Sequence, residues 1–336
     1  MPLAEQEAMK LGFVEVKKLK KYFPVQKSFI AQLFSRNTEY VRAVDGVDLS
    51  VEKGDIYGLV GESGSGKTTI GRLTLALAQP TEGLVSIDGV GLFSIKKDQL
   101  RKFRRRVQFI YQDPLSSLNP KMTVGDAVAE PLRYLDRPPR ERLKQTVNAI
   151  LERVGLSPPE TFYDRYPQEL SGGQRQRVVI ARALVVNPDY VVADEPVAMV
   201  DVSVRAQIMD MLLQMQKELN LTVLLITHDL AVAKYMCNRI SVMYLGKIAE
   251  TGSNEQIFSN ALHPYTKALM AAVPVPNPRA RTEKKVPPGE IPSALHPPAG
   301  CRFHPRCPYV FDRCRVDVPE LTEREPGHYV ACHLYD

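Results

Sequence analysis

The sequence lacks any apolar run long enough to cross a membrane. A spanning helix needs about 18 to 20 consecutive apolar residues. The best candidates, residues 221–226 and 178–186, are too short, and the second also contains Arg182. The first ten residues, MPLAEQEAMK, have no apolar core of a secretion signal. We therefore expect a protein of the cytoplasm rather than a membrane-spanning or secreted one.

Cysteine is scarce and unevenly placed. Of five cysteines, Cys237 stands alone and the others fall within the last 36 residues, at Cys301, Cys307, Cys314 and Cys332. In a cytoplasmic chain such a cluster indicates metal binding more often than disulfides. The close C-x-x-C pairs of zinc ribbons are missing here, and four thiolates also suit an iron–sulfur cluster. An iron–sulfur centre, a zinc site and unmetallated thiols are the three alternatives.

A nucleic-acid-binding surface of mixed aromatic and basic residues is also absent from the sequence. The net charge is +6, but Lys and Arg are spread along the chain, without the aromatic-and-basic pattern that binds nucleic acid. There is no long coiled-coil insertion and no internal repeat. Hydrophobic content of 44% and charged content of 24% are those of a globular chain. These features argue against a nucleic-acid-binding protein.

Short β-type runs alternate with helical patterns along most of the chain. Because this alternation is typical of parallel sheets covered by helices, we predict an α/β core with a mostly parallel sheet. The predicted strands are residues 13–16, 47–51, 56–60, 84–87, 107–111, 190–193, 222–227, 240–244 and 247–250. A helical insertion is predicted at about residues 115–175, where the strand signal lapses. One helix face in it is marked by Leu143, Val147, Ile150, Leu151 and Val154.

The composition changes after residues 263–265. Prolines crowd residues 273–298, which predicts an extended linker, and the cysteines follow in a small C-terminal unit. We therefore divide the chain into residues 1–258 and 259–336. Near the start, Phe29, Ile30, Leu33 and Phe34 predict a short helix that packs on its own domain or contacts a membrane-bound partner.

A glycine-rich segment indicates the chemistry. It lies between an apolar run and a helix-compatible stretch, the strand–loop–helix context of a phosphate-binding P-loop. Its glycines let backbone N–H groups turn towards an anion, and the helix N-terminus adds a favourable dipole. The nucleotide-binding residues are Gly61-Glu62-Ser63-Gly64-Ser65-Gly66-Lys67-Thr68 and the following Thr69. Lys67 is predicted to reach the β- and γ-phosphates, and the Thr68 hydroxyl to ligate Mg²⁺.

Two carboxylates end the apolar run at residues 190–193. A strand end beside a P-loop is where a carboxylate can hold Mg²⁺, and this role is assigned to Asp194. Pro196 ends the strand and is expected to hold Glu195 in extended geometry. Glu195 is the predicted general base that polarises the attacking water.

A second anion site is predicted at Leu170-Ser171-Gly172-Gly173-Gln174. Ser171 is a good N-cap for the helical pattern that follows. The two glycines would expose N–H groups at the positive end of the helix dipole. An ordinary capped helix is the plainer alternative for these residues.

Together these motifs resemble the ATPase subunits of ABC transporters, whose hallmark is LSGGQ. Gln112 matches the family's Q-loop, Asp201 its D-loop and His228 its switch histidine. The resemblance implies a P-loop NTPase (ABC ATPase) fold with a mostly parallel core sheet, an antiparallel β subdomain, a helical insertion and a small Cys-rich C-terminal domain. It implies Mg²⁺ contacts from Thr68, Gln112 and Asp194. It also implies an aromatic that stacks on adenine: Phe23, with Tyr22 and Tyr40 as alternatives.

Longer segments look like the oligopeptide/dipeptide transporter ATPases: residues 112–125, 263–266, 289–292 and 300–308. This resemblance implies ATP-driven import of oligopeptides or dipeptides, with nickel or oligosaccharide as alternative cargo. It implies a 4Fe-4S cluster on the four tail cysteines, with Zn²⁺ as the alternative. The implied partners are a second ATPase subunit (a paralogue, in a heterodimer), two integral membrane permease subunits and, indirectly, an extracytoplasmic solute-binding protein, but no nucleic acid. The resemblance also implies peripheral attachment to the cytoplasmic face of the inner membrane.

The resemblance also implies a mechanism. Two ATPase domains pair head to tail, so that each ATP lies between one subunit's P-loop and the other's Ser171, Gly172, Gly173 and Gln174. Lys67 and Mg²⁺ stabilise the transferred phosphoryl group, Glu195 orients the water, and His228 holds the γ-phosphate. The rival hypotheses are a soluble ABC-type ATPase acting on nucleic acid in repair or translation, and a regulatory subunit without turnover.

Overall fold

The computed structural model describes residues 12–25, 39–272 and 289–336. The predicted helix at Phe29, Ile30, Leu33 and Phe34 lies outside these ranges, as does most of the predicted linker, residues 273–288.

The strands form two sheets. Their bounds are β1 Val14–Pro24, β2 Tyr40–Val51, β3 Ile56–Val60, β4 Glu82–Ile87, β5 Val90–Gly91, β6 Val107–Ile110, β7 Tyr190–Asp194, β8 Thr222–Thr227, β9 Arg239–Tyr244, β10 Lys247–Ser253, β11 Thr322–Glu325 and β12 His328–Val330. Every strand that the sequence predicts is present, several of them longer than expected, which confirms the α/β core.

The α-helices lie between the strands and in the tail. Their bounds are α1 Lys67–Thr74, α2 Lys97–Arg106, α3 Pro114–Ser117, α4 Val124–Leu135, α5 Arg140–Arg153, α6 Glu160–Tyr163, α7 Gly172–Leu184, α8 Val202–Leu219, α9 Leu230–Met236, α10 Asn254–Ser259, α11 Pro264–Ala272 and α12 Asp312–Val316. Short 3₁₀ turns are formed by Leu92–Ser94, Pro167–Glu169, His304–Arg306 and His333–Tyr335.

The larger sheet has the order β11-β12-β10-β9-β3-β8-β7-β6. From β9 to β6 the neighbouring strands are parallel, whereas β10, β12 and β11 join antiparallel. The central strands β3, β7 and β8 are buried at every position, as their continuous apolar sequences require. The sheet is therefore mixed, with a parallel centre.

Two hydrophobic cores cover the two faces of this sheet. Successive residues of a strand face opposite sides, and those of β3 divide accordingly. Ile56 and Val60 contact one core, and Tyr57 and Leu59 contact the other. The first core includes the helices between β6 and β7 and part of the tail, and the second includes α1 and the smaller sheet, of order β2-β1-β4-β5. The smaller sheet is antiparallel throughout.

Residues 111–189, all of them described, contain helices and no strand. The predicted face of α5 is buried against α4 and α7, at Leu143, Val147, Ile150 and Leu151, with Val154 just past the helix end. The helical insertion is therefore confirmed at this face.

The tail differs from its prediction. A separate Cys-rich domain is not confirmed, because β12 pairs with β10 at Glu250↔Val330 and Thr251↔Tyr329. The larger sheet thus continues into the tail. The tail is also fixed by Glu250, whose fully buried carboxylate accepts hydrogen bonds from the backbone of Leu262 and His263 and lies 2.8 Å from His328 Nε2. Within the described residues, no helix has the length and apolar character needed to cross a membrane.

Candidate active site

The glycine-rich loop connects β3 to α1, as predicted. Gly61 has φ +152° and Gly66 has φ +106°, and a Cβ at either position would lie 2.1 Å from a backbone carbonyl oxygen, of Met243 and Ala43 respectively. Only glycine therefore fits these two positions. Gly66 is the N-cap of α1 and has no side-chain cap, so the first N–H groups of the helix face the loop interior as an anion site.

Lys67 is the first residue of α1, and its side chain is buried inside the loop. Its Nζ donates to the carbonyls of Gly61 (2.7 Å) and Glu62 (2.8 Å) and lies 3.2 Å from Ser65 Oγ. Burial lowers the pKa of the Lys67 ammonium, an effect that nearby Glu195, Asp194 and Glu62 oppose. The lysine thus has a fixed place at the centre of the loop.

A cleft of about 230 Å³ lies over the loop. It is lined by Ser63, Gly64, Gly66, Lys67, Thr68, Thr69, Gln112, Asp194, Glu195 and Ile226. The structure therefore brings together residues from the P-loop, the end of β6, the end of β7 and the end of β8. These are the carboxyl ends of parallel strands, where ligands bind in open α/β sheets.

The residues in this cleft fit a magnesium ion. Thr68, Asp194 and Gln112 all line the cleft and bring a hydroxyl, a carboxylate and a side-chain amide to it. Oxygen donors of this kind are those that Mg²⁺ prefers. Burial, followed by the charge of Glu195, raises the pKa of Asp194, while Thr68 and Lys67 lower it. A cation bound beside Asp194 would offset that cost of burial.

Glu195 departs from the predicted extended geometry. Its φ is +49°, in the left-handed region, and β7 ends one residue earlier. The prediction from Pro196 was wrong, because a single left-handed residue, rather than a continued strand, turns the carboxylate into the cleft. The Glu195 N–H donates to the carbonyl of Ile226 (2.8 Å), which ties the turn to β8.

His228 lies beside Glu195. Its Nδ1 is 2.5 Å from Glu195 Oε1. The carboxylate is mostly buried, with 12% of its side chain exposed, whereas the imidazole is 61% exposed. This geometry connects a buried carboxylate to an accessible ring and agrees with a base-and-sensor pair.

Ser171 caps α7 as predicted. Its Oγ accepts from Gln174 N, and Gln174 Oε1 accepts from Ser171 N. These residues do not line the P-loop cleft. Instead, Gly172 and Gly173 lie beside residues 199–204, and a Cβ on Gly173 would be 2.6 Å from Val204 Cγ1. Asp201 is the N-cap of α8 on the same exposed surface.

The three candidate adenine-stacking aromatics lie at one end of the β1–β2 pair. Tyr22 Oη donates to Asp45 Oδ1 (2.5 Å), so its hydroxyl is engaged. Phe23 and Tyr40 are exposed by 42% and 48%, at the paired ends of β1 and β2. Phe23 as the stacking residue stays a prediction.

Comparison with known proteins agrees with these features. Residues 44–198 match the ABC transporter family, and residues 249–314 match the C-terminal region of oligopeptide/dipeptide transporters. The oligopeptide transport ATP-binding protein AppF of Bacillus subtilis is 44% identical, with 100% of each chain covered. The chain belongs to the ABC transporter family of ATP-binding proteins.

Other members are similar over most of their length. A putative peptide import ATP-binding protein of Brucella ovis is 46% identical, covering 90% of this chain and 95% of that protein. The dimeric, post-hydrolysis structure of the ATP-binding cassette MJ0796 with ADP and Pi is 31% identical, with a TM-score of 0.62, covering 72% of this chain and 98% of that one. This likeness confirms the ABC cassette fold.

The tail of this ABC transporter protein contributes residues that sequence reasoning missed. Arg306 donates to both carboxylate oxygens of Glu62 in the P-loop, at 2.9 and 3.2 Å. The Glu62 N–H donates to Tyr265 Oη (2.9 Å). Both contacts join residues more than 200 positions apart. Residues 263–266 and 300–308 were recognised as family segments, but no local pattern links them to the loop.

The four tail cysteines lie around one small cavity. Cys301, Cys307, Cys314 and Cys332 line it together with His263, His304 and His333, among others. Among the described residues, however, no group of three or more His, Cys, Asp or Glu side chains has an arrangement that could hold a metal ion. Burial raises the pKa of Cys301 and Cys332 to about 11, with a further contribution from the neighbouring tail thiols. The geometry therefore does not support the predicted 4Fe-4S cluster or its zinc alternative.

Proposed function

We propose that this chain is the ATP-hydrolysing subunit that powers import of oligopeptides or dipeptides by a membrane ABC transporter. The observation that carries the proposal is the cleft in which Lys67, Thr68, Gln112, Asp194 and Glu195 meet. The tail supports the peptide-transporter branch, because it matches the corresponding C-terminal region. AppF is called an oligopeptide transport protein, and the Brucella ovis relative a putative peptide import protein. Nickel or oligosaccharide as cargo finds no such support.

The P-loop side of the cleft binds and positions the triphosphate. Backbone N–H groups of the loop, other than that of Glu62, surround the β-phosphate, and Lys67 exchanges its carbonyl contacts for phosphate oxygens. Thr68, Asp194 and Gln112 would hold Mg²⁺. When bound, Mg²⁺ neutralises charge on the β- and γ-phosphates.

Glu195 and His228 act on the attacking water. The Glu195 carboxylate is mostly buried and turned into the cleft, so it can accept a proton from a water placed in line with the γ-phosphate. His228, 2.5 Å from that carboxylate, orients it and can hold the γ-phosphate from its exposed side. A nucleotide-binding subunit without turnover would not need this pair.

The second anion site supports a head-to-tail pair of ATPase subunits. Ser171, Gly172, Gly173 and Gln174 lie away from the chain's own cleft, beside Asp201. We infer that they close the cleft of a partner ATPase, which is a paralogue in a heterodimer. Two integral membrane permeases complete the transporter at the cytoplasmic face of the inner membrane, and an extracytoplasmic solute-binding protein delivers the cargo. Phe23 stacks on the adenine.

The division of the chain and the metal in the tail also stay proposals. We place the nucleotide-binding part at residues 1–258, with the helical subdomain at about residues 115–175, and the transporter-specific part at residues 259–336. The 4Fe-4S cluster rests on the family resemblance, since the four tail cysteines line one cavity but do not form a metal site among the described residues. Iron and acid-labile sulfide in anaerobically purified protein would support it, and a colourless sample, with zinc or without metal, would reject it.

The proposed function is tested by reconstitution. The chain, its partner ATPase and the permeases are placed in liposomes, and ATP-dependent uptake of labelled peptides is measured. Lys67→Ala should abolish uptake and weaken Mg²⁺-ATP binding by the isolated chain. Lys144→Ala, on the exposed side of α5, is the matched control and should retain both. Unchanged ATP affinity in Lys67→Ala would contradict the phosphate site, and co-purification with DNA or ribosomes instead of membrane proteins would favour the nucleic-acid alternative.

A further inference from the structure

The tail holds the P-loop at one residue, Glu62. The side chain, the backbone N–H and the backbone carbonyl of this residue each make a hydrogen bond. Its carboxylate accepts two hydrogen bonds from Arg306, its N–H donates to Tyr265 Oη, and its carbonyl accepts from Lys67 Nζ. Two of these three contacts come from residues of the tail. The Glu62 side chain itself does not line the nucleotide cleft.

Arg306 is well suited to fix a loop. Its side chain is 5% exposed and also donates to Tyr244 Oη (3.3 Å). Its guanidinium lies over the rings of Tyr244 and Phe303, 5.9 Å from each centroid. Tyr265 packs against both of these rings, with centroids 4.6 and 5.4 Å away. A planar guanidinium that is buried and bidentate with a carboxylate gives directional contact as well as attraction.

The tail also holds the other side of the nucleotide site. Arg302 pairs with Asp45 on β2, and Arg42 N donates to the carbonyl of Ala294 (3.0 Å). β2 pairs with the strand end that carries Phe23. The tail therefore contacts both the strand pair expected to face adenine and the loop expected to face the phosphates.

We propose that Arg306 is a positioning residue for nucleotide binding, which fixes the P-loop through its bidentate contact with Glu62. The inference rests on the proposed nucleotide site. Phosphate recognition depends on several N–H groups being aimed before the ligand arrives, so a loop released at Glu62 loses preorganisation. Arg306 does not line the nucleotide cleft and acts through Glu62.

The test is a double-mutant cycle on the full chain, with binding of a fluorescent ATP analogue measured in Mg²⁺. We expect Arg306→Gln and Glu62→Ala each to raise the Kd about 10-fold, and the double variant also about 10-fold, because both remove the same contact. The Kd of Arg306→Lys should lie between those of the wild type and Arg306→Gln. Lysine keeps the positive charge but cannot make the two parallel hydrogen bonds of a guanidinium. Arg313→Gln, an exposed tail arginine paired with Asp336, is the control and should match the wild type.

A second measurement separates positioning from folding. In Arg306→Gln without nucleotide, amide hydrogen exchange should quicken at residues 61–67 and stay unchanged in β7 and β8. Faster exchange throughout would mean general destabilisation and would overturn the inference. So would an unchanged Kd, about 100-fold weakening in the double variant, or its return to wild-type affinity, which would indicate simple charge neutralisation. If the wild type itself bound no Mg²⁺-ATP, the proposed function would fail first, and this inference with it.

Discussion

The two predicted anion sites of this chain both lie at helix N-termini, yet they are built in opposite ways. At the start of α1, Ser65 and Lys67 are buried, and the cap position is a glycine without a side-chain acceptor. At the start of α7, Ser171 is exposed and its own capping box with Gln174 satisfies the helix end. The first site is enclosed by its own chain, whereas the second is presented to the outside.

This difference bears on the proposed pairing with a second ATPase subunit. The P-loop gathers a lysine, a hydroxyl and two carboxylates around one cleft, so it can bind a triphosphate by itself. The Ser171 site offers a serine hydroxyl and helix N–H groups on an exposed surface, where dipole interactions are worth less than about 1 kcal/mol. In the proposed pair, it would contribute after the partner subunit has placed a nucleotide against it.

The largest effect is expected from removing the proposed catalytic base of the enclosed site. Glu195→Gln keeps the shape of the cleft but removes the base, so ATP hydrolysis in the assembled transporter should fall about 1,000-fold while ATP still binds. Because the nucleotide then persists, the ATPase pair should stay associated, which size-exclusion chromatography with Mg²⁺-ATP can detect. Normal turnover in this variant would remove Glu195 from the role of base.

A pair of glycine variants tests whether steric crowding limits the P-loop of the enclosed site. Gly66→Ala would place a Cβ 2.1 Å from the Ala43 carbonyl oxygen, at φ +106°, and should weaken ATP binding about 100-fold, or ~3 kcal/mol. Gly64→Ala, at φ +77° with open space around it, is the matched control and should weaken ATP binding by only about 1 kcal/mol. Equal losses of affinity, measured by titration, would show that crowding at Ala43 is not what limits the loop.

Low pH should destabilise the fold around His263, in the tail that contacts the enclosed site. His263 is buried at the join of core and tail, and burial lowers its pKa to about 3 from 6.5. Because the unfolded chain then binds a proton more readily, stability is lost as pH falls from 6.5 towards 3. For this histidine alone the loss between pH 7 and pH 5 should be about 2 kcal/mol.

The measurement is chemical unfolding of the wild type and of His263→Gln at pH 7 and pH 5. The variant should be less stable at pH 7 but show a smaller change between the two pH values. His296→Gln, on an exposed histidine, is the control and should keep the wild-type pH dependence. A pH dependence unchanged in His263→Gln would mean that the titration lies elsewhere.

The smallest effect is expected at the outward-facing Ser171 site. Ser171→Ala removes the helix cap and should lower the free energy of unfolding by about 1 kcal/mol. ATP hydrolysis by the assembled transporter should also fall, while the ATP affinity of the isolated chain stays the same. Weaker ATP binding by the isolated chain would mean that Ser171 reaches its own cleft, and the contrast between the two sites would be lost.

Much of the fold followed from local pattern. The central strands are continuous apolar runs, and the P-loop, Ser171 and Asp194 are placed as their neighbours in sequence require. The turn at Glu195 was missed because its left-handed backbone is imposed by β8, through the Ile226 carbonyl, and not by Pro196. The link between Arg306 and Glu62 spans 244 positions, and no periodicity reports such a contact.

The last strands of the chain have a consequence for solubility. β12 covers the free side of β10, and β11 then becomes the outer strand, with Glu323, Arg324 and Glu325 exposed along it. Charged residues on an outer strand discourage pairing with other sheets. Truncation before residue 322 would uncover the backbone N–H and C=O groups of β10, and the shortened protein should aggregate through strand addition.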